Sequence, residues 1–385
     1  MHEHKHNQCR RKVKRRKNVM KLIIFCITVG ISLMFIYYQN LRKEINAQQK
    51  WLETVLTGEK KWILENQGPE GEFYMNGSKA GDVNPYFACM AALGLLAETK
   101  NCPITETEEK AVGRYLDWHT GILLETDGKM GIYRKESGKL IYKEKADSED
   151  GYLGMYLFLM GKYLEKTEST ELPEYWEKGI SLASKKIQSL MQDGITQVSE
   201  ENTTVYLMDN LEVWKGLYEL EQAGLEDVQA ISEMRNKLQA QIEKIFWDDA
   251  NQRWRIIENS DLYHQKEFYP DGVAQIYPLI YEFPVKEKKK QKILYDQFTE
   301  KFQWQKLNKK RNGFLWAMTG MAAAQMGDIN NLLEMIRNYE AEYCENRKYP
   351  LYTGEAGWIC MECEKLYSLY ERKIKTGFLF CNLIS

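Results

Sequence analysis

Histidine is scarce in this chain. Of five among 385 residues, His2, His4 and His6 crowd into the first six positions, leaving His119 and His264 far apart. No GxSxG, GxxxxGK[ST], HExxH or GxGxxG motif occurs. A Ser-His-Asp triad, a nucleotide cradle and a zinc-hydrolase signature therefore have no carrier, and no cofactor or metal is expected. The eight cysteines are scattered rather than set out as a disulfide framework. Cys360 and Cys363 form a CxxC, but with no second pair and no nearby histidine they read as buried small apolar residues. After residue 50 no Pro/Gly/Ser-rich linker divides the chain, so one globular domain is expected.

What is present is a rhythm. Segments at about 51–66, 105–121, 171–191, 225–246, 287–302 and 328–345 carry charges on one face and apolar residues at i, i+3, i+4 spacing, the pattern of amphipathic helices. A second set starts near Asn84, Glu149, Asp209, Pro270, Gly313 and Gly354, with runs such as PYFACMAALGLL and GYLGMYLFLMGKYL that are apolar nearly all round and so belong to buried helices. The loops leading into the buried set are long, about 10 to 30 residues, against a usual median of about 4–6. Those leading out are short, which places a functional rim at one end. Twelve helices in six hairpins predict an all-α (α/α)6 toroid over residues 55–372.

The N-terminus is separate. CRRKVKRRK precedes Leu22 to Tyr38, an uncharged stretch of about the minimum length that spans a bilayer as a helix. Residues 1–21 hold nine Lys/Arg and one acid, which by the positive-inside rule puts the N-terminus in the cytoplasm. The small-x-small pattern of a cleavage site is missing, so the segment reads as an uncleaved anchor. The expected order is a basic cytoplasmic tail at 1–20, a transmembrane signal anchor at 21–39, a juxtamembrane helix or linker at 40–54, the toroid, and an apolar tail at 373–385. Localisation is then the cell membrane, single-pass, with the domain outside. The formal charge of −2 conceals a remainder of about −10 beyond residue 21, which argues against nucleic acid as a partner.

Carboxylates gather where loops feed the buried helices: Asp82, Asp147, Glu149, Asp150, Asp209, Asp271 and Glu355. Helix capping explains acids singly, because they favour the positive end of the helix dipole. Capping does not explain three in four positions of ADSEDGYLGM. Like charges packed together raise one another's pKa, and such a group holds a proton at neutral pH. Glycoside hydrolysis needs such a proton donor and an ionised partner. The catalytic candidates are Asp82, Asp147, Glu149, Asp150 and Asp271. Rings accompany them: Tyr86, Tyr152, Tyr206, Trp214, Tyr269 and Trp358 are candidates for stacking on sugars, with Asp209, Asn210 and Glu355 taking hydroxyls. Tyr269 precedes Pro270 and is biased out of helix, which puts its ring on the loop.

The segments ADSEDGYLGMYLFLM, YLMDNLEVWKGLYEL, FYPDGVAQIYPLIY and YTGEAGWICMECEKL, at buried-helix starts, resemble the six-hairpin glycosidases across about residues 55–370. Within that superfamily the layout is similar to glycoside hydrolase family eight, whose members cleave β-linked polysaccharides with inversion. That resemblance implies Asp82, four before Tyr86, as general acid, a second acidic position at Asp150, and Asp271 as base. Where the family has Glu, position 82 is Asp, which leaves Asp147 or Glu149 as alternative acids.

The expectation is therefore a membrane-anchored, extracytoplasmic glycosidase acting on a polysaccharide. Two other classes stay open. One is a noncatalytic glycan-binding subunit beside polysaccharide synthesis or export machinery; the other is a polysaccharide lyase.

Overall fold

The computed structural model describes residues 2–77, 81–136, 139–168, 172–224, 228–259, 267–307 and 313–382. It is mostly helical, at 68%. The chain forms two units, Met1–Leu52 with Tyr367–Ser385, and Glu53–Leu366.

Among the described residues the helices are α1 (His2–Glu65), α2 (Pro85–Leu95), α3 (Glu106–Glu125), α4 (Glu149–Thr167), α5 (Glu174–Leu190) and α6 (Leu207–Gln222), then α7 (Val228–Phe246), α8 (Val273–Ile280), α9 (Lys288–Phe302), α10 (Thr319–Met326), α11 (Ile329–Tyr339) and α12 (Thr353–Asn382). The local sequence accounts for their ends. Asn84 caps α2 by accepting from the Tyr86 N–H at 2.9 Å, with Pro85 just inside, where its missing N–H costs nothing. Thr105 and Glu108 form a reciprocal capping box on α3. Gly327, at φ 69°, lets α10 stop in the left-handed conformation. One boundary differs from expectation: α10 begins at Thr319, not near Gly313, because the stretch before it is taken up by a turn described below.

In the larger unit α2 packs on α4, α4 on α6, α6 on α8 and α8 on α10. Helix α12 meets α10 where Glu362 faces Gly320, and meets α2 where Gly357 faces Met90 and Gly94. These contacts are made through backbone. A Cβ at Gly154 would sit 2.7 Å from the Val213 nitrogen, and one at Gly357 would overlap the Met90 carbonyl. Gly357→Val should therefore lower the thermal midpoint, by the ~1–3 kcal/mol or more of an overpacked core. An unchanged midpoint in calorimetry would show that α2 and α12 separate freely.

The sequence reading held no strands, but the structure has short ones in the connections. Asp82–Val83 (β1) pairs with Gly131–Glu136 (β2), which pairs with Lys139–Lys145 (β3) as an antiparallel hairpin. Two further two-stranded ribbons, Met191–Gln192 with Ile195–Thr196 and Trp247–Asp248 with Arg253–Trp254, follow α5 and α7. The long loops are therefore partly hairpins.

Candidate active site

One cavity of about 260 Å³ opens at the N-terminal ends of α2, α4, α6 and α12. Its acidic lining residues are Asp147, Asp209, Glu212 and Glu355, and Tyr86, Tyr152, Tyr269, Tyr277, Trp316 and Trp358 supply rings. Among the described residues the lining holds no lysine, arginine or histidine.

Glu212 sits one turn into α6, three residues past Asp209, and is 3% exposed. Its Oε1 accepts from the Tyr277 hydroxyl at 2.6 Å, from Tyr281 at 3.3 Å and from Tyr86. Three helices thus converge on one oxygen: Tyr86 opens α2, and Tyr277 and Tyr281 lie one turn apart in and just after α8. Burial lifts the Glu212 carboxyl to about 7 and the nearby Asp150 adds to it, while the tyrosine hydroxyls pull the other way.

Glu355, in the first turn of α12, reaches a similar state by a different route. Its Oε1 accepts from the Leu315 and Trp316 N–H groups at 3.2 and 3.1 Å, and Oε2 from Ala317 at 2.8 Å. Trp316 has φ 59°, an outlier for a bulky residue that turns successive N–H groups into an anion-holding nest. Such strain costs on the order of 1–3 kcal/mol and is characteristic of functional sites. Burial still outweighs the three donors and raises Glu355 to about 7.

Asp209 borders the cavity half-buried. Its carboxyl is raised well above the usual range, first by desolvation and then by Asp150 and Glu212. Asp147 is exposed at the rim.

The other candidates lie elsewhere. Asp82, expected as general acid, is held by Arg134 at 2.6 Å and Lys143 at 2.8 Å on the β2–β3 hairpin, which lowers its pKa, and it does not line the cavity. So paired, it cannot keep a proton near neutrality. Glu149 is buried beside Lys145 at 3.3 Å, and Asp271 is buried in the turn Phe268–Gly272; neither lines the cavity. Asp150 is fully buried behind Ser148. It accepts from Ser148 at 2.8 Å, Thr196 at 2.7 Å and the Gly151 N–H at 3.0 Å, and burial raises it to about 6. Asn210 belongs to the same network, accepting from the Thr196 N–H and donating to the Thr196 carbonyl. Both tie α4 and α6 to the loop at 195–196 rather than facing the cavity.

Among the rings, Tyr86 and Tyr152 contact each other at 5.6 Å, and Trp358 donates to the Met90 sulfur at 3.1 Å. Tyr269 is extended, at φ −126° and ψ 137°, 37% exposed, and lies 4.7 Å from the Trp316 ring. Trp214 is buried against Tyr218 and Phe283 and donates to Gln239, so it packs the α6–α7 side instead. Tyr206 caps α6 outside the cavity. Cys360 and Cys363 are buried free thiols, pushed well up by burial. His264 lies outside the described residues. Among the described residues no group of three or more His, Cys, Asp or Glu is arranged to hold a metal ion.

The sequence reading missed Glu212, Tyr277, Phe314 and Trp316. The signal for Glu212 was available: a carboxylate one turn from Asp209 on an otherwise apolar helix has no surface to reach.

The chain matches no known sequence family and no curated protein. Its fold is similar to that of a glycosidase solved as wild type and as point variants, one in complex with glucose. For one variant the TM-score is 0.61 at 12% identity, over 84% of this chain and 98% of that one. A D-mannose isomerase matches at TM-score 0.56 and 12% identity, covering 83% and 97% of the two chains. An α-amylase from Clostridium perfringens matches at 0.51 and 13%, covering 82% and 97%. At such identities the likeness is one of fold, and the fold is glycosidase-like.

Proposed function

We propose that this chain is a glycoside hydrolase in which Glu212 is the proton donor and Glu355 the base. The observation that carries this reading is that two buried carboxyls, on different helices, line one cavity and both stand near 7. Their partners divide the roles. Tyrosine hydroxyls can rotate, so those of Tyr86, Tyr277 and Tyr281 can accept from a protonated Glu212 as well as donate to an ionised one. The backbone N–H groups at 315–317 can only donate, which suits Glu355 to the carboxylate form. Asp209, held protonated, offers a donor to a sugar hydroxyl, and Tyr269 and Trp316 offer stacking faces. The pairing does not follow the family-eight layout, since Asp82 and Asp271 stand away from the cavity.

The substrate this lining suits is a neutral or cationic glycan. A uronate would meet four carboxylates and, among the described lining residues, no cation, which favours hydrolysis over elimination. The helix contacts around the cavity, each inner helix touching the next and α12 touching both α10 and α2, support an (α/α)6 toroid over about residues 55–372.

The reading includes a membrane anchor. Helix α1 carries one window long and apolar enough to cross a bilayer, beginning at Ile23, and Phe25, Leu33 and Phe35 are about 60% exposed there. The nine basic residues before it favour a cytoplasmic N-terminus.

The test is incubation of the purified protein with neutral polysaccharides. New reducing ends that vanish in Glu212→Gln and persist in Asp82→Asn are the expected result. Binding without turnover in the wild type would return the chain to a glycan-binding subunit, and new ultraviolet absorbance from a uronate polymer would make it a lyase.

A further inference from the structure

The apolar ending TGFLFCNLIS has no part in the cavity, and the smaller unit places it. Along α1 the residues withdrawn from solvent are Tyr38, Leu41, Ile45, Gln48 and Leu52, a strict 3-4-3-4 spacing. Along α12 they are Tyr367, Tyr370 and Ile374, at the same spacing. Two such stripes make a coiled-coil seam. The Gln49 side chain donates to the Tyr367 carbonyl at 3.4 Å, which sets the register. One helix runs into residues 53–366 and the other runs out of them, so within the smaller unit the pair is antiparallel. Stepping from Gln49 and Tyr367 in opposite directions sets Arg372 level with Glu44, Gly377 with Gln39, and Cys381 with Phe35.

A separate observation agrees with that register. Among the described residues from Ile23 to Tyr37, Met34 alone is not exposed. Burial on α1 thus begins where the backbone of α12 ends, at Asn382. Polarity changes at the same level on both helices. Charges stop at Arg42 on α1 and at Lys375 on α12, and beyond them the sequences read YYIFML and GFLFC.

We infer that the segment Gly377–Asn382 enters the outer edge of the same bilayer that α1 spans, as a second membrane-contacting element beside the anchor. This rests on the anchor reading above. Six helical residues reach about 9 Å, the depth of an interfacial helix rather than of a span. Arg372, Lys373 and Lys375 then stand at the headgroups, as Arg42 and Lys43 do on α1. The domain is held by two adjoining helices.

Fluorescence quenching in phosphatidylcholine vesicles tests this on the full chain. An environment-sensitive dye is placed on Cys381 with Cys9, Cys26, Cys102 and Cys344 changed to serine, or on Cys26 with Cys381 changed instead. With doxyl groups high on the acyl chains, the Cys381 dye should lose on the order of half its emission, as expected for shallow insertion. Doxyl groups near the chain ends should quench it less. The Cys26 dye should be quenched by both. An unquenched Cys381 dye beside a quenched Cys26 dye overturns the tail contact and leaves the anchor intact; an unquenched Cys26 dye overturns the anchor. In a Leu379→Asp/Phe380→Asp chain the Cys381 dye should regain its emission. Persistent quenching there would mean the dye itself seeks the membrane, and the inference falls.

Discussion

A glutamine at position 212 should cut kcat by about 10²–10⁴-fold, the usual worth of a positioned proton donor. Helix α6 and its three tyrosine contacts should stay intact. The side chain keeps its shape and its oxygen still accepts from Tyr277 and Tyr86, so only the transferable proton is lost. Glutamine at 355 should cost as much for a different reason: an amide cannot take a proton from water. The two roles separate in the pH profile. Turnover needs Glu212 protonated, hence pH below its pKa, and Glu355 ionised, hence pH above its own. With both near 7, kcat/KM should be a narrow bell about neutrality. Tyr277→Phe removes a donor that lowers the Glu212 pKa, so the alkaline limb should move to higher pH while the acid limb stays. Movement of the acid limb instead would exchange the two assignments, and a flat profile in all variants would remove both.

The same substitution should stabilise the protein, and by an amount that depends on pH. The folded pKa of Glu212 is raised from 4.5 to about 7. At pH 4.5 and below, both folded and unfolded chains hold the proton, and the group is neutral to stability. As pH rises the unfolded chain releases its proton first. Stability therefore falls between about 4.5 and 7 and levels off above. The full penalty, from ~1.4 kcal/mol per unit, is of the order of 3 kcal/mol. Glu212→Gln never carries it. The difference in thermal midpoint between variant and wild type should thus grow from near nil at pH 4.5 to its full value above pH 8. A variant less stable than wild type at pH 8 would show that the carboxylate and its tyrosines form a net favourable cluster. An enzyme made more stable by losing its proton donor is the usual exchange between stability and function.

The helical alternation was legible because it depends on periodicity, a local property. Helix ends such as Pro85 and Glu149 fell close to where capping and turn residues put them. Of the site, the loop-end acids Asp147, Asp209 and Glu355 and the rings Tyr86, Tyr152, Tyr269 and Trp358 were singled out and do line the cavity. What escaped was whatever depended on distant partners. Asp82 looked like a free acid because Arg134 and Lys143 lie more than fifty residues away, on a hairpin whose charged strands carry no apolar alternation. Asp150 looked catalytic because charge density is visible in sequence, whereas the Thr196 hydroxyl that occupies it is not. Glu212 was passed over because attention to helix starts stops one turn too early. Its distinction comes from Tyr86, Tyr277 and Tyr281, brought together only by the fold.

The glycine contacts between helices have a bearing on how this scaffold can change. Where Gly357 meets Met90 and where Gly154 and Gly216 meet across α4 and α6, main chain rests on main chain. No side chain stands between them to be shortened or lengthened. A lineage adapting to a bulkier sugar has no adjustable spacer at those joints. New specificity must therefore be written in the loops that carry Tyr269 and Trp316, over a frame whose gauge is fixed by peptide geometry.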